Sequence, residues 1–440
     1  MINTACRILD DVVGGFFNNI TLEVMVTIYF YLVFVEFPRY YLLETIIVLW
    51  RKLNYRAIRR EKKEAREKLY IENPLVTILA PGRNEGKHIY KLVCSLREQT
   101  YRNYEVIIVD DGSDDDTELI CRDLEKAGLI THYIRSEIRG GKASAANMGL
   151  GFAQGKYVIH LDADSSLDRD AIEKILIPFY YDPRIKAVGG VVKVRNPRDS
   201  VCTSMQALEY LKTIQVGRMV TSTLGILHII SGAFGAFERE ALNHLGGWDI
   251  GPGLDGDLTQ KFRKAHFRVH FAEDAICMTS VPVSWPALFR QRQRWSKSLV
   301  RFRLRKHADL LRPHRHFSFR NFFSNVEAIM YDFVFNYVWF FYILVLIMEH
   351  PDRLAEIFII GYLIRIIFNF IAFGVIMLVT ERPRDEAWLI KYVPLSTFYT
   401  GYFLRISRLV AHTKEVFFFS SYKDPWNPRK TSEVAQAEGI

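Results

Sequence analysis

The separation of apolar from charged residues along the chain is the feature that most constrains its fold. The chain has 440 residues, of which 24% are charged, yet its mean hydropathy is +0.02. Residues 20–50 and 326–410 are hydrophobic and aromatic, whereas residues 51–315 have the mixed composition of an aqueous α/β domain. Because apolar segments of this length are stable in a bilayer, the pattern predicts one large aqueous domain flanked by membrane-embedded segments.

The apolar stretches are long enough for several membrane crossings, each of which needs about 20 mainly apolar residues. Crossings are predicted at 21–37, 329–348 and 354–380, with a marginal one at 388–404. Residues 38–50 extend the first crossing as a tilted or interfacial helix, or form a second one.

The residues around the first apolar stretch predict the orientation of the central domain. Residues 51–68, RKLNYRAIRREKKEAREK, are strongly basic. Residues 1–19 are not basic and lack the basic start of a signal peptide, and no small-residue cleavage site follows the first apolar stretch. By the positive-inside rule, we expect a multi-pass protein of the inner or plasma membrane with its central domain in the cytoplasm.

The formal net charge of +9 raises the question of a nucleic-acid partner. The basic residues concentrate beside the apolar stretches, most clearly in residues 290–315, RQRQRWSKSLVRFRLRKHADLLRPHR. Basic clusters next to a membrane gain about 1 kcal/mol per charge from anionic lipid headgroups. The pattern therefore predicts contact with the bilayer surface and no nucleic-acid partner.

Short β-branched runs alternate with helical patterns in the central domain. The predicted strands and helices are, in chain order, 75–80, 87–98, 105–109, 115–127, 157–161 and 187–192. This alternation is typical of an α/β domain with a Rossmann-like, mainly parallel sheet, which binds ligands at the carboxyl ends of its strands.

Polar clusters follow three of these strands: PGRNEG at 81–86, DDGSD at 110–114 and DADSS at 162–166. No G-x-G-x-x-G or Walker motif follows the first strand, and the clusters are acidic rather than glycine-rich. Asp162 and Asp164 repel each other unless a cation or solvent screens them. The sequence therefore favours a nucleotide held partly through a bridging metal.

Seven motifs in a fixed order give a resemblance to a known family. They are PLVTILAPGRNEG, VIIVDDGSDDDT, RGGKASAANMGL, YVIHLDADSSLDRDA, SGAFGAFEREAL, GLDGDLTQKFRKAHF and RQRQRW. Over residues 74–305 the chain resembles the inverting family 2 glycosyltransferases of GT-A fold. Within that family it is most similar to the membrane-embedded processive synthases of cellulose, chitin, hyaluronan and poly-N-acetylglucosamine.

The resemblance implies a cytoplasmic GT-A domain with flanking transmembrane and interfacial helices. The expected segments are an N-terminal transmembrane region at 1–50, a basic juxtamembrane linker at 51–73, the GT-A domain at 74–287, amphipathic interfacial helices with the Q-x-x-R-W motif at 288–325, transmembrane helices at 326–411 and a tail at 412–440.

The resemblance also assigns a donor site. In such enzymes Mg²⁺ or Mn²⁺ bridges the D-x-D carboxylates and the diphosphate of a UDP-sugar. Asp164 matches the direct metal ligand, and Asp162 matches a second ligand close to the sugar or ribose. Residues two apart on a strand point the same way, and these hard cations prefer oxygen ligands. The remaining residues that match the nucleotide pocket are Asn84, Glu85, Asp111 and Lys142.

Transfer requires a general base, because an acceptor hydroxyl is a poor nucleophile until its proton is removed. The family takes this base from a Glu-Asp motif before a helix. In PGLDGDLTQKFRKA, Leu254 stands where the glutamate is usual. Asp255 therefore matches the base, and Asp257 is the second candidate, with capping of the helix as its other role.

The RQRQRW motif is expected to meet both substrates. Gln291 and Arg294 match donor contacts, because an arginine fork suits diphosphate. The indole of Trp295 suits the apolar face of an acceptor sugar. Ser231 and Gly232 are small enough for an acceptor sugar to pass close to the backbone. The alternative for the three motif residues is a basic amphipathic helix on the membrane surface.

These assignments predict a processive β-glycosyltransferase that polymerises UDP-glucose or UDP-N-acetylglucosamine into an exported polysaccharide. Its expected partners are the UDP-sugar, the growing polysaccharide, the bilayer and accessory export subunits. Two alternatives remain open. A single-transfer enzyme with a lipid acceptor would use the same donor site. A catalytically inactive scaffold or export subunit is opposed by the intact Asp111, Asp164 and Asp255 and favoured only by Leu254.

Overall fold

An eight-stranded mixed sheet forms the centre of the computed structural model, which describes residues 22–251, 253–313, 317–425 and 427–438. The strands are β1 (Val76–Gly82), β2 (Tyr104–Asp110), β3 (His132–Arg135), β4 (Tyr157–Leu161), β5 (Ser166–Leu167), β6 (Ile185–Val194), β7 (Phe234–Glu238) and β8 (Arg268–Thr279). Their order across the sheet is β3-β2-β1-β4-β7-β6-β8-β5.

The strands predicted from the sequence lie mainly in the parallel half of this sheet. β1 pairs in parallel with β2 and with β4, and β2 with β3. β7 runs antiparallel to β4 and β6, whereas β6 and β8 are parallel. The predicted strand 157–161 has the bounds of β4, and the other three overlap β1, β2 and β6. The α/β fold class is confirmed.

β1 and β2 are apolar at nearly every position because both faces of the sheet are covered. Successive side chains of a strand point to opposite faces. Leu79 and Ile107 belong to one apolar core, and Ile78 and Ile108 belong to another. All four are at most 2% exposed. This two-sided packing fixes both strands and therefore the loops at their carboxyl ends.

The helices of the central region connect and cover the strands. They are Gly86–Arg97, Thr117–Lys126, Lys142–Leu150, Ala171–Leu176, Val201–Glu209, Arg218–Thr223, Arg239–His244, Leu254–Lys264 and Trp285–Val300. Two π-helical segments prolong them. Tyr210–Gly217 joins Val201–Glu209 to Arg218–Thr223, and Arg301–Lys306 extends Trp285–Val300.

The terminal regions are helical and pack together. Their α-helices are Leu22–Ile28, Leu43–Leu53, Tyr55–Glu72, Phe319–Ile329, Phe335–Glu349, Leu354–Val379, Pro383–Glu386, Val393–Phe398, Leu404–Phe418 and Arg429–Ala437. The buried Glu36 carboxylate accepts hydrogen bonds from Arg365, at 3.0 Å, and from Arg405. Because a buried charge is costly without a partner, this cluster ties the N-terminal helices to the C-terminal ones.

Two helical runs among the described residues are long and apolar enough to cross a membrane, Phe319–Glu349 and Pro351–Val379. They contain nearly all of the crossings predicted at 329–348 and 354–380. The predicted crossings at 21–37 and 388–404 are not among the described helices that meet this criterion of length and composition. Those two crossings stay predictions, and residues 1–21 lie outside the described part of the chain.

The predicted contact between the basic run 290–315 and lipid headgroups is wrong for three of its arginines. Arg292, Arg301 and Arg303 are only 5%, 1% and 4% exposed. Arg292 donates to Glu209 at 2.8 Å and Arg303 to Asp332 at 2.8 Å. These carboxylates lie far from the arginines in sequence, so the local pattern of charge did not reveal the pairing.

Candidate functional site

The loops after β1 and β2 interlock at one edge of the sheet, because the two strands are parallel neighbours. The Asp111 N–H donates to the Gly82 carbonyl at 2.9 Å. The Asn84 N–H donates to Ser113 Oγ at 2.8 Å, and the Asn84 side chain accepts from the Asp114 N–H at 3.0 Å. Asn84 thus braces the two predicted nucleotide-binding loops against each other.

Asp111 is held by the loop that precedes the helix Lys142–Leu150. Its carboxylate accepts hydrogen bonds from the Gly140 N–H at 2.7 Å and the Gly141 N–H at 2.9 Å. Gly141 has φ +92°, a conformation that other residues rarely adopt. Burial raises the pKa of Asp111, although these hydrogen bonds oppose the shift. The RGGK motif therefore positions a carboxylate at the sheet edge.

Three carboxylates meet where β1 and β4 end: Glu85, Asp162 and Asp164. Burial and the charges of both aspartates raise the pKa of Glu85 to about 7. Burial, then the Asp162 charge, raises the pKa of Asp164. Asp164 Oδ1 is buried and has no hydrogen-bond partner within the described part of the chain. Uncompensated negative charge at this edge makes it a place where a cation would be stabilised.

Lys142 supplies part of that compensation. Its ammonium forms an ion pair with Asp162, and the Asp162 and Asp255 charges raise the pKa of Lys142 in spite of burial. Burial opposes the ionisation of Asp162, but Lys142 outweighs it and lowers the pKa of that carboxyl. Lys142 therefore links the D-x-D carboxylates to Asp255 through one positive charge.

The fit of the site to a metal rests on its oxygen donors. Asp164 offers a buried carboxylate oxygen without a partner, and Asp162 lies two residues away on the same strand end. Among residues 22–251, 253–313, 317–425 and 427–438, no three His, Cys, Asp or Glu side chains are arranged to hold a metal ion. A hard cation here would therefore combine one or two protein carboxylates with oxygen ligands from another molecule.

Asp255 lies in the first turn of the helix Leu254–Lys264 and faces the same edge. Burial and the Asp162 charge raise the pKa of Asp255, whereas Lys142, the Gly232 backbone and Arg218 lower it. A Cβ atom on Gly232 would collide with the Asp255 carboxylate. Gly232 was predicted to admit an acceptor sugar, and in the structure its missing side chain also makes room for Asp255.

Gly232→Ala should displace the Asp255 carboxylate and lower kcat about 10- to 100-fold, because a shift of about 1 Å in a reacting group costs this much. The measurement is sugar transfer by the purified variant. Gly401→Ala is the control, since a Cβ atom there meets nothing within 4 Å. Unchanged kcat in Gly232→Ala would show that the position of Asp255 is unimportant.

Asp257, the second candidate for the base, is held by a different set of residues. Its carboxylate accepts from Lys306 at 2.6 Å and lies 2.7 Å from Nε2 of His307. Asp257 is 2% exposed, and the His307 and Lys306 contacts lower its pKa against the effect of burial. These contacts fix the helix Leu254–Lys264 to Lys306 and His307, at the end of the π-helical segment Arg301–Lys306. The geometry therefore favours Asp255 over Asp257 as the group that meets a substrate.

Asp257→Asn should destabilise the protein by about 3 kcal/mol, because it removes the carboxylate beside the buried His307 and one of the two carboxylate partners of Lys306, which keeps Asp249. The folded pKa of Asp257 lies below its unfolded value of about 3.9. Its contribution to stability is therefore complete above that pH and is lost as the pH falls through the folded pKa.

Thermal unfolding in detergent should give a melting temperature several degrees lower for Asp257→Asn at pH 5 to 8, with the difference shrinking below pH 4. Glu433→Gln, in the exposed pair Arg429–Glu433, should melt with the wild type. Equal melting temperatures for all three proteins at pH 7 would contradict this role of Asp257.

The motif residues of the helix Trp285–Val300 border the site. The Arg294 guanidinium interacts electrostatically with Asp424, Asp162 and Asp255, and burial lowers its pKa. Gln291 Oε1 is buried without a hydrogen-bond partner among the described residues. Trp295 is 40% exposed, so its indole is open to a ligand. Gln291 and Trp295 thus keep binding capacity at this border of the site, and Arg294 brings a positive charge near the carboxylates.

Ser231 lies in the turn before β7, where its carbonyl accepts from the Phe234 N–H at 3.1 Å. This contact uses the backbone of Ser231 and not its hydroxyl. The carbonyl of the next residue, Gly232, accepts a hydrogen bond of 2.6 Å from Nδ1–H of His160. The turn is therefore anchored to β4 immediately before the D-x-D residues.

The C-terminal segment also reaches the site, which the sequence did not suggest. Thr431 Oγ1 donates to the Gly140 carbonyl at 3.1 Å, and Arg139 donates to the Pro425 carbonyl at 3.4 Å. A Cβ atom on Gly141 would lie 3.2 Å from Pro428 Cδ. Part of the segment 412–440, which the sequence predicts only as a tail, thus packs on the loop that holds Asp111.

Comparisons with known proteins give relatives of the central region. Residues 77–246 match the family model described as glycosyl transferase family 2. The chain is 29% identical over 278 residues to a poly-β-1,6-N-acetyl-D-glucosamine synthase of Staphylococcus aureus (strain COL), covering 61% of this chain and 63% of that protein. It is 30% identical over 223 residues to the synthase of the same name from Staphylococcus epidermidis, and this match covers 50% of this chain and 54% of that protein. The chain therefore matches less than two thirds of the length of these curated relatives.

A solved structure shares the fold. The mannosyltransferase of Pyrobaculum calidifontis, solved in complex with GDP-Man and Mn²⁺, superposes with a TM-score of 0.54 at 21% identity. The superposition covers 85% of this chain and 99% of that one. The central region is therefore a GT-A-like α/β fold.

Proposed function

We propose that this chain, whose residues 77–246 belong to glycosyl transferase family 2, transfers sugar units from a nucleotide-sugar donor to a growing polysaccharide. The observation that carries the proposal is the common position of the D-x-D carboxylates and Asp255. Lys142 interacts electrostatically with Asp162, Asp164 and Asp255. We therefore take the D-x-D carboxylates as the site of the donor phosphates and Asp255, beside them at one edge of the sheet, as the group that accepts a proton.

The donor is proposed to be a UDP-sugar bound across the ends of β1, β2 and β4. Asp111, Asn84 and Glu85 border the nucleotide, and Arg294 with Gln291 approaches the diphosphate from the helix Trp285–Val300. Asp164 and Asp162 are the residues that would hold Mg²⁺ or Mn²⁺. When bound, the cation neutralises charge on the departing diphosphate.

Asp255 is proposed as the general base. Its partly buried carboxylate takes the proton from the acceptor hydroxyl as the hydroxyl oxygen bonds to the anomeric carbon and the bond to the UDP oxygen breaks. A single displacement of this kind inverts the anomeric centre, so an α-linked donor gives a β-linked product. Burial and the Asp162 charge raise the pKa of Asp255, and Lys142, the Gly232 backbone and Arg218 oppose this shift and favour the ionised form that accepts the proton.

The product is proposed to be a polysaccharide that is elongated at a membrane. Two helical runs suited to cross a bilayer and likeness to poly-β-1,6-N-acetyl-D-glucosamine synthases support this. The same likeness favours UDP-N-acetylglucosamine over UDP-glucose as the donor. We place the GT-A domain of residues 74–287 in the cytoplasm of a multi-pass protein of the inner or plasma membrane, with the segment boundaries given by the sequence. We also propose that the polymer is exported across the membrane and that accessory subunits take part in the export.

The test incubates the detergent-purified chain with UDP-N-acetylglucosamine or UDP-glucose and with Mg²⁺ or Mn²⁺, and measures UDP release and the size of labelled product. We expect UDP release and a long polymer from UDP-N-acetylglucosamine with either cation. A short lipid-linked product would instead identify a single-transfer enzyme. No UDP release from either donor with either cation would contradict the proposed function.

A further inference from the structure

A short turn, residues 230–233, lies between the strand that leads to the D-x-D motif and the helix that carries the proposed base. It directly precedes β7, which pairs antiparallel with β4. The Asp162 N–H, just after β4, donates to the Ala233 carbonyl of the turn at 3.5 Å. The last residue of the turn is therefore joined to the first residue of the D-x-D motif.

The middle of the turn contacts Asp255. A Cβ atom added to Gly232 would lie 2.7 Å from Cγ and 2.8 Å from Oδ2 of Asp255, closer than such atoms approach one another in proteins. The Gly232 backbone itself therefore touches this carboxylate. Burial raises the pKa of Asp255, and a hydrogen bond from the Gly232 backbone opposes that shift. The place of the Gly232 peptide thus decides where the proton acceptor lies.

His160 fixes this peptide from β4. Its Nδ1 lies 2.6 Å from the Gly232 carbonyl oxygen. A carbonyl oxygen only accepts hydrogen bonds, so Nδ1 carries the proton. The His160 ring is 1% exposed and packs beside the Trp248 ring, with 5.3 Å between the two centres. His160 therefore ties the peptide beside Asp255 to the strand that leads into Asp162.

Thr259 fixes the start of the same turn from the helix Leu254–Lys264. Its Oγ1 accepts a hydrogen bond from the Ile230 N–H at 2.9 Å and donates one to the Asp255 carbonyl at 2.8 Å. Thr259 is 0% exposed, so solvent does not compete for these bonds. One buried hydroxyl thus binds the turn 230–233 to the first turn of the helix that carries the base.

We propose that His160 and Thr259 are positioning residues for sugar transfer, because together they hold the Gly232 peptide against the base. A general base works only within hydrogen-bond reach of the proton that it takes. The two residues are buried and set the place of Asp255 relative to the D-x-D carboxylates through the turn 230–233. The inference rests on the proposed function and adds to it two side chains that act without touching a substrate.

The test for His160 compares three substitutions in the purified full chain. His160→Leu removes the N–H that Gly232 accepts. His160→Asn keeps a donor near the place of Nδ1, whereas His160→Gln puts its amide near the place of Nε2. Nε2 has no hydrogen-bond partner among the described residues, so a donor there cannot replace the one at Nδ1.

We expect kcat for transfer from UDP-N-acetylglucosamine with Mn²⁺ to fall about 10- to 100-fold in His160→Leu and His160→Gln, because a reacting group shifted by about 1 Å costs this much. His160→Asn should restore most of the rate. The KM of the donor and the Kd of UDP with Mn²⁺ should stay at their wild-type values in all three variants. A residue that only stabilised the fold would not separate kcat from donor binding in this way.

The test for Thr259 uses the same measurements. Thr259→Val has nearly the same shape but lacks the hydroxyl that joins Ile230 to Asp255, whereas Thr259→Ser keeps it. We expect kcat to fall about tenfold in Thr259→Val, by the same displacement of the base, and to stay near the wild-type value in Thr259→Ser. If His160→Leu does not fold, His160→Gln against His160→Asn and the Thr259 pair decide the result.

His270→Leu is the matched control. It makes the same substitution in β8 of the same sheet, where the His270 ring packs edge-on against Tyr181 at 5.7 Å. This variant should transfer sugar at the wild-type rate. A wild-type kcat in both His160→Leu and Thr259→Val would overturn the inference. So would equally low kcat in His160→Leu and His160→Asn, or a loss of UDP binding.

The wild-type reaction separates this inference from the proposed function. A wild type that transfers no sugar contradicts the proposed function, and the inference with it. A wild type that transfers sugar while the His160 and Thr259 variants match it contradicts the inference alone.

Discussion

Asp255→Asn should reduce sugar transfer by about 10³-fold and leave UDP binding intact. A positioned general base contributes about 10² to 10⁴ to a rate, and an amide cannot accept the proton. Asparagine has nearly the same shape, so the contact with Gly232 and the helix Leu254–Lys264 should survive. The measurements are initial rates of transfer and the Kd of UDP with Mn²⁺ for the purified variant.

The matched control for this prediction is Asp123→Asn, an exposed residue of the helix Thr117–Lys126. It should transfer sugar at the rate of the wild type. A rate for Asp255→Asn within threefold of the wild type would remove Asp255 from the role of base. A parallel loss of UDP binding would mean that the substitution disturbs the donor site instead.

Asp164→Asn should weaken metal-dependent UDP binding by at least about 100-fold, more than is typical for residues that only support metal ligands. The substitution removes the charge of a carboxylate whose buried Oδ1 has no protein partner among the described residues. It also relieves the repulsion on Asp162 and Glu85, so the apo protein should not lose stability. UDP binding is measured over a titration of Mn²⁺, with thermal unfolding of the apo protein alongside.

Asp116→Asn serves as the control for this experiment. Asp116 is exposed, and its side chain makes no capping hydrogen bond at the start of the helix Thr117–Lys126. Its UDP binding should follow that of the wild type at every Mn²⁺ concentration. If Asp164→Asn bound UDP with the same dependence on Mn²⁺, Asp164 would not be a metal ligand.

The residues at the sheet edge could be predicted from the sequence because each strand and the loop after it are determined by a short local segment. β4 is a short apolar run that ends in a charged loop, and its bounds followed from residues 157–161 alone. Parallel pairing then brings the ends of β1, β2 and β4 to one edge, whatever the rest of the chain does. The proximity of Asp111, Asp162 and Asp164 to this edge needed no further knowledge of the fold.

Contacts between distant segments could not be predicted in the same way. Arg305 donates to Glu415 at 2.8 Å across 110 residues of sequence, and the local pattern shows only a basic run. The packing of Thr431 on Gly140 is of the same kind.

The measurement that tests the central claim most directly is the anomeric configuration of the product. The purified chain is incubated with UDP-N-acetylglucosamine, which is α-linked, and Mn²⁺, and the polymer is analysed by NMR beside a reaction with Asp255→Asn. We expect a β-linked polymer from the wild type and none from the variant. An α-linked product, or equal polymer from both proteins, would contradict a single inverting displacement assisted by Asp255.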